Sequence, residues 1–479
     1  MVAPEVSRGG ERIANNERSR IRERINEVRS RFDRAWNRAV DSILEDWDSR
    51  GDDEFVFPII DGPPGTGKTT GGVVGVAERI LENPDEQIIY LCPTHFAADV
   101  ALMRLREDLG LAGQVYRLTP NPRETDWGRG VVGHPPESLS DRELRILQRA
   151  NILICTLHGS IRAFKVRNIH AGMRVSRRAY IVVDEFSQVM PPLWFHSLYL
   201  ARKEKLEPRG FSMIGDPYQL PIVTTQPRLY ENIGEFIINE SGCDTHRLRL
   251  QFRMHRDICE AVNQLRRALR CTFMLESAER VRNRDLTRLG FEWDENRCSP
   301  EFREILDPSH PLVIIDTSSL GREERCFGGS LRNVDEATLV AKIVKEFCRS
   351  YRRNGREVRS SDIAALSPYS GQVGCIQQLL DRLQLGRSAT TMTVYRSQGR
   401  EWPCVLLSLV WNDPRGFIGF LGDPRLRAQL YVGCSRAQAK LIVLMSYNCF
   451  QRYEDFHNLL NTSSAHHIEA RPEWVRGTT

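Results

Sequence analysis

One stretch narrows the choice of folds more than any other. Residues 55–60, FVFPII, lead into DGPPGTGKTTGG and then into VVGVAERILEN. A short apolar run, a glycine turn and a segment of helical apolar periodicity predict strand, turn, helix. Gly62, Gly67, Lys68 and Thr69 satisfy G-x-x-x-x-G-K-[ST], and each residue type has a physical reason to be there. Glycines let successive N–H groups curl round a phosphate chain, and the helix N-terminus adds its positive end. Lys68 can reach the β- and γ-phosphates, while the Thr69 hydroxyl suits Mg²⁺. Only seven of the 67 basic side chains are lysines, so a lysine in this turn stands out. The turn predicts a nucleoside triphosphate site built from Gly62, Pro63, Pro64, Gly65, Thr66, Gly67, Lys68, Thr69 and Thr70.

A chain of 479 residues exceeds one ordinary core and predicts several domains. With 41% hydrophobic and 27% charged residues it reads as globular. No apolar run is long enough to span a membrane, and the first residues lack the apolar stretch of a secretory signal. The twelve cysteines form no CxxC pair and no zinc-like cluster, so structural zinc is not expected. Scattered thiols suit a reducing compartment, here the cytosol, with the nucleus left open. A net charge of +5 permits a polyanionic partner without requiring one.

Residues 179–188, AYIVVDEFSQ, place Asp184 and Glu185 at the end of an apolar strand, where open α/β sheets build their sites. Asp184 suits a Mg²⁺ ligand and Glu185 the group that orients or deprotonates an attacking water. An acidic pair alone is a weak signal, but one about 115 residues after a phosphate loop is its expected partner. FSMIGDPYQLP, residues 211–221, repeats the strand-and-turn design with Asp216 and Gln219, although Gly-Asp-Pro turns are common.

In this order GPPGTGKTT, DEFSQ and GDPYQLP resemble motifs I, II and III of superfamily 1 helicases. The similarity is to their 5′-to-3′ branch, superfamily 1B, which includes the nonsense-mediated-decay helicase. YLCPTHFAADV (90–100) resembles motif Ia and ILICTLHGS (152–160) the strand-and-threonine motif after it. LRLQFRMHRDI (248–258) is similar to the family's L-x-x-Q-Y-R-M-H-P-x-I, and SLRNVDEATLV and DIAALSPYSGQV to the start of a second motor domain. TMTVYRSQGREWPCVLLSLV (391–410) resembles motif V and LYVGCSRAQAKLIVL (430–444) motif VI. The resemblance implies an α/β chain with two tandem RecA-like P-loop domains on parallel sheets, ATP and Mg²⁺ between them, and single-stranded RNA or DNA across them.

Residue by residue, the resemblance implies that Gln219 contacts the γ-phosphate and that Arg253 and Arg436 are arginine fingers. It also assigns Gln251, Phe252, Gly399 and Glu401 to the nucleotide, Phe252 standing where the family often has Tyr. An arginine supplied to the γ-phosphate can be worth about 10³–10⁵ in rate. Pro93, Thr94, Thr156 and Thr393 at strand ends are candidates for phosphates of the strand, with helix or loop capping as the plainer reading of each threonine. Tyr218, Tyr369 and Tyr395 are candidates for base stacking, though packing is the safer reading, as it is for His95 and His158. Departures are Tyr395 where motif V commonly has Asp, GCSRA where motif VI has ALTRA, and no recognisable glutamine motif for adenine.

The expected domains are a helical stalk at 1–54, a first RecA-like domain at 55–245 with a short insertion at 113–150, a second at 246–455, and a tail at 456–479. Within the stalk Ile13, Ile21, Ile25, Val28, Phe32, Trp36, Val40 and Leu44 form one amphipathic stripe expected to pack on the first motor domain of a monomer, with a protein partner at the stripe as the alternative. Arg-rich helices at about 261–310 read as an insertion. The expected activity is ATP-dependent translocation or unwinding, 5′ to 3′. The alternatives are a nucleic-acid-stimulated clamp or remodeller and a scaffold that binds nucleotide only.

Overall fold

The computed structural model describes residues 13–45, 57–84, 86–119, 131–132, 150–160, 178–203, 207–220, 238, 245–423 and 426–476. The chain divides into two compact units: residues 1–63, 67–217 and 221–248, and residues 64–66, 218–220 and 249–479. Each is an α/β layer structure on a parallel sheet.

The first sheet has eight strands: β1 (Ile59–Asp61), β2 (Gln87–Cys92), β3 (Val115–Leu118), β4 (Val131–Val132), β5 (Ile152–Thr156), β6 (Arg178–Asp184), β7 (Glu207–Gly215) and β8 (Thr245–Arg247). Their order is β4-β3-β5-β2-β6-β7-β1-β8, and every pairing is parallel. Strand periodicity sorts the apolar side chains onto two faces. Ile88, Tyr90 and Cys92 of β2 join one core, while Ile89 and Leu91 join the other. Both faces are covered, as a parallel sheet requires. Because β3 and β4 are sheet strands, the segment expected as an insertion at 113–150 begins inside the domain; residues 120–130 and 133–149 lie outside the described residues.

The stripe expected as one stalk helix is carried by two: α1 (Asn15–Ser30) and α2 (Arg34–Asp41). Asp33 breaks it, its carboxylate accepting from Trp36 N at 2.9 Å as an N-cap. Ile21, Ile25, Trp36 and Val40 are buried in the same core as helix α3 (Lys68–Glu82), so the stripe faces this unit. Arg79 of α3 forms a bidentate pair with Glu86 (2.8 and 2.6 Å) and donates to the Ile43 carbonyl at 2.9 Å, tying the segment after α2 to the helix.

The second sheet orders its parallel strands as Thr390–Thr393, Ile363–Ser367, Trp402–Ser408, Ala437–Met445, Leu312–Asp316 and His466–Glu469. The residues expected as a tail therefore supply an edge strand. The Arg-rich segment after residue 261 is also integral. Ala261, Val262 and Leu265 are core residues, and Arg266 is fully buried, donating to the Tyr431 hydroxyl at 2.8 Å and the Phe273 carbonyl at 3.0 Å. Among the described residues no helix is long and apolar enough to cross a membrane.

Candidate nucleotide site

Strands β1 and β6 end on the same side of the first sheet, as parallel strands must, and the loops leaving them carry the expected chemistry. Gly67 has φ +80°, a left-handed conformation open to glycine, and caps α3. At the next residue the Lys68 ammonium lies 3.1 Å from Glu185 Oε1. Thus the two motifs, 117 positions apart, meet as an ion pair in which each side chain is about nine-tenths buried. The Thr70 hydroxyl takes a hydrogen bond from Arg104, which follows helix α4 (His95–Met103).

Asp184 is fully buried at the end of β6. Its Oδ2 accepts from the Tyr90 hydroxyl and its Oδ1 from Glu185 N, both at 2.9 Å. Burial, reinforced by the Glu185 carboxylate, pushes its carboxyl up to about 6, and Lys68 offsets part of this. Glu185 has φ +52°, a costly conformation for a residue with a Cβ, held next to the chemistry it would perform. Its Oε2 is buried without a hydrogen-bond partner among the described residues. Two crowded carboxylates, one with an orphaned oxygen, fit a hard divalent cation or a water held close by. Thr69, partly exposed at the start of α3, and Asp184 have the oxygen donors Mg²⁺ prefers.

A contact that no motif signals braces the phosphate loop. Trp36 of α2 is 1% exposed and donates from Nε1 to the Gly67 carbonyl at 3.2 Å. Phe32 stacks on Trp36 with ring centroids 4.1 Å apart, and a Cβ at Gly67 would collide with the Phe32 ring. The approach continues along α3: Gly71 faces Trp36 and Val40, and Gly75 faces Ile43. Glycines at 67, 71 and 75 thus form one bare face at helical spacing, against which α2 and the residues after it pack. The spacing is present in GKTTGGVVG, but the sequence does not say what occupies it.

The remaining expected residues divide by their surroundings. Gln219 and Asp216 are buried beyond the end of β7. Gln251 is fully buried and spends its amide on its own turn and the neighbouring strand, donating to Met254 O and Ser277 Oγ and accepting from Arg253 N and Met254 N, all at 2.7–2.8 Å. It shapes that turn and has no group left to offer a nucleotide. Arg253 pairs through Nε with Glu401 and donates to Ser435 O at 3.1 Å. The Arg253 charge holds the Glu401 carboxyl down to about 2. Phe252 has the Arg280 guanidinium 4.6 Å from its ring centre. Gly399 is left-handed at φ +81° in the turn before Glu401. Arg436, 2% exposed, donates to Val432 O at 2.9 Å and Ser435 Oγ at 2.8 Å, so its guanidinium is bound within its own unit.

Of the strand-end candidates, Thr94 caps α4 by accepting from Ala97 N at 3.2 Å. Thr156 accepts from Gly159 N at 3.1 Å, and Thr393 from Arg396 N at 3.4 Å. In each case the capping role uses an oxygen lone pair and leaves the hydroxyl proton to donate. Pro93 precedes the first of these caps, half-exposed.

Two family models, each described as an AAA domain, match residues 56–225 and 230–448. The mouse DNA replication ATP-dependent helicase/nuclease DNA2 is 27% identical over 432 residues, covering 86% of this chain and 37% of that protein. A Neurospora crassa regulator of nonsense transcripts 1 homolog is 25% identical over 446 residues, covering 84% and 37%. The chain therefore spans little more than a third of these relatives' length. Among solved structures, the DEAD-box helicase Mss116 bound to ssRNA and UDP-BeF aligns over 95% of this chain and 79% of that one, at 13% identity and a TM-score of 0.45. Matched in sequence order by two AAA-domain models and 25–27% identical to these relatives over most of its length, the chain is similar to the superfamily 1B helicases.

Proposed function

We propose that the chain hydrolyses ATP to move 5′ to 3′ along single-stranded RNA or DNA, or to separate the strands of a duplex. The observation that carries the hydrolytic part is the Lys68–Glu185 pair at 3.1 Å beside the buried Asp184. Lys68 would exchange Glu185 for the γ-phosphate, freeing that carboxylate to take a proton from water. The left-handed backbone at Glu185 holds the carboxylate ready for this. Thr69 and Asp184 would hold Mg²⁺, which when bound neutralises charge on the phosphates. Arg253 and Arg436 are the cations assigned to the transition state, which for Arg436 requires giving up its bonds to Val432 O and Ser435 Oγ. For Arg253 this means exchanging Glu401 for phosphate oxygen, a trade favoured by the higher charge of the phosphate chain.

The curated relatives are named for work on DNA and on transcripts, so both polymers are candidate tracks here. Hydrolysis measured with matched single-stranded RNA and DNA oligomers tests the motor and chooses the polymer. Unwinding of a duplex with a 5′ single-stranded tail then tests strand separation. Stimulated hydrolysis without unwinding would make the protein a clamp, and no hydrolysis with any polymer would overturn both.

A further inference from the structure

Two cysteines of the second unit meet over one glycine. Strands Glu324–Arg325 and Leu331–Arg332 pair antiparallel as a small hairpin. Its turn closes through Gly329 N donating to Cys326 O at 3.0 Å, with Gly328 and Gly329 left-handed and Phe327 fully exposed at the tip. Beside it runs helix Ser370–Arg382. A Cβ built on Gly371 of that helix would lie 2.5 Å from the Cys326 sulfur, so the sulfur fills the space a side chain at 371 would take. Cys375 is one turn further along, on the same helix face. Helical side chains lean toward the N-terminus, which aims the Cys375 sulfur back over Gly371. We propose that Cys326 and Cys375 form a reversible disulfide when a hydroperoxide reaches the chain, latching the hairpin to the helix beneath it.

The surroundings of the two thiols divide the work between them. Cys326 is half-exposed and open to a small oxidant, whereas Cys375 is buried and held back as its partner. Burial pushes the Cys375 thiol up; the Arg332 guanidinium opposes this, and the Cys326 sulfur adds to it. Arg332, held above its ordinary value chiefly by its bond to Glu324 at 2.6 Å, also feels both sulfurs. The three groups therefore share one neighbourhood. Among the other described cysteines only Cys348 is half-exposed, and burial pushes its thiol up to about 11. Exposure and a waiting second thiol coincide at Cys326, the arrangement that makes a thiol a redox sensor.

The Cys326 sulfur attacks one oxygen of the hydroperoxide, breaking the O–O bond to give a sulfenic acid and releasing water or an alcohol. The Cys375 sulfur then attacks the Cys326 sulfur, forming S–S as S–O breaks, and its proton leaves with the hydroxide as water. Two thiols lose two electrons and one peroxide gains them. Where thiols are otherwise kept reduced, such bonds are transient and sense oxidants. The hairpin is a suitable element to latch. Two residue pairs join its strands, and Ser330 docks it on the helix, its Oγ accepting from Gly371 N at 3.0 Å and Ser370 Oγ at 3.2 Å. A hairpin this short is marginal without such support, so a covalent tie turns one that opens into one that is fixed.

The test treats the folded full chain with hydrogen peroxide, blocks the remaining thiols and digests it with trypsin without reduction. Mass spectrometry should find residues 326–332 joined to residues 360–382, and dithiothreitol should part them. Cys326 joined to any other cysteine, or oxidised alone while Cys375 stays a free thiol, overturns the proposal. In Cys375→Ala the sulfenic acid on Cys326 should persist and be trapped by dimedone; equal trapping in parent and variant overturns it as well. Hydrogen exchange supplies the reading on the latch. Amides of residues 324–332 should exchange at least about tenfold more slowly after oxidation and recover with dithiothreitol. Unchanged exchange in a chain that carries the bond would sink the latch. Because the peptide mapping uses the unaltered chain, its outcome does not depend on how the variant folds.

Discussion

Exchanging Gly75 for alanine sets two opposing effects against each other on one helix. Alanine in place of a helical glycine stabilises by ~1 kcal/mol, since it loses less backbone freedom. At position 75 the added Cβ would lie 2.8 Å from Ile43 Cδ1 and 3.0 Å from both its Cβ and Cγ2. The Cδ1 and Cγ2 methyls can swing aside by side-chain rotation, but in a packed core that rotation is costly, and the Cβ moves only with the backbone after α2. Overpacking of this kind costs about 1–3 kcal/mol, so Gly75→Ala should end up to ~2 kcal/mol less stable than the parent. Gly71 is the internal control. Its Cβ would meet Trp36 and Val40 at 3.5 Å, ordinary contact, so Gly71→Ala should keep most of the ~1 kcal/mol gain. Hydrogen exchange over Lys68–Glu82 in the full chain reads the difference directly, 1 kcal/mol being about a fivefold change in the opening constant. Slower exchange in Gly71→Ala and faster exchange in Gly75→Ala is the expected pattern. Equal slowing in both would refute the close packing of the N-terminal segment on this helix.

Lys68→Ala and Glu185→Gln should each cut hydrolysis by roughly 10²–10⁴ with the fold intact, as circular dichroism and turnover assays would show. Near-normal turnover in either would mean the site is misplaced. Trp36→Phe keeps the ring but removes the donor to Gly67, so KM for nucleotide should rise roughly 2- to 10-fold with kcat changed less. An effect on kcat alone would show that the hydrogen bond does not position the loop. Glu336 gives a pH prediction: burial pushes its carboxyl up to about 7, against hydrogen bonds from Ser408, Val410 and Thr317. A carboxyl raised on folding adds stability that is complete below its unfolded value and is lost as pH rises through 7. The second unit should therefore lose on the order of 3 kcal/mol between about pH 4.5 and pH 8 from this group. Glu336→Gln, a mimic of the neutral form, should flatten that dependence in urea titrations at several pH values, and an unchanged slope would rule the group out.

The nucleotide site was legible because its parts are local. Strand, glycine turn and helix follow one another within 30 residues, and Asp184–Glu185 sits directly after its own apolar strand. The pairing of Lys68 with Glu185 needed only the parallel order of β1 and β6. What escaped depends on distant neighbours. Gln251 and Arg436 have the expected identities, but the groups that absorb their hydrogen bonds are set by tertiary packing. Asp33, three residues before Trp36, is a readable N-cap, yet the apolar stripe runs through it and conceals the break. The strand His466–Glu469 shows no apolar run because an edge strand is covered on one side only, its residues alternating between half-buried and exposed.

That edge strand has a consequence for how the protein is made. The first sheet takes its last strand at Thr245–Arg247, so all its strands are available while much of the second unit is still being synthesised. The second sheet cannot fill the position beside Leu312–Asp316 until His466–Glu469 has emerged, more than 150 residues later. Domains fold as units in the order the ribosome delivers them. During that interval one edge of the second sheet is unpaired, an open row of backbone donors and acceptors that a chaperone would have to shield.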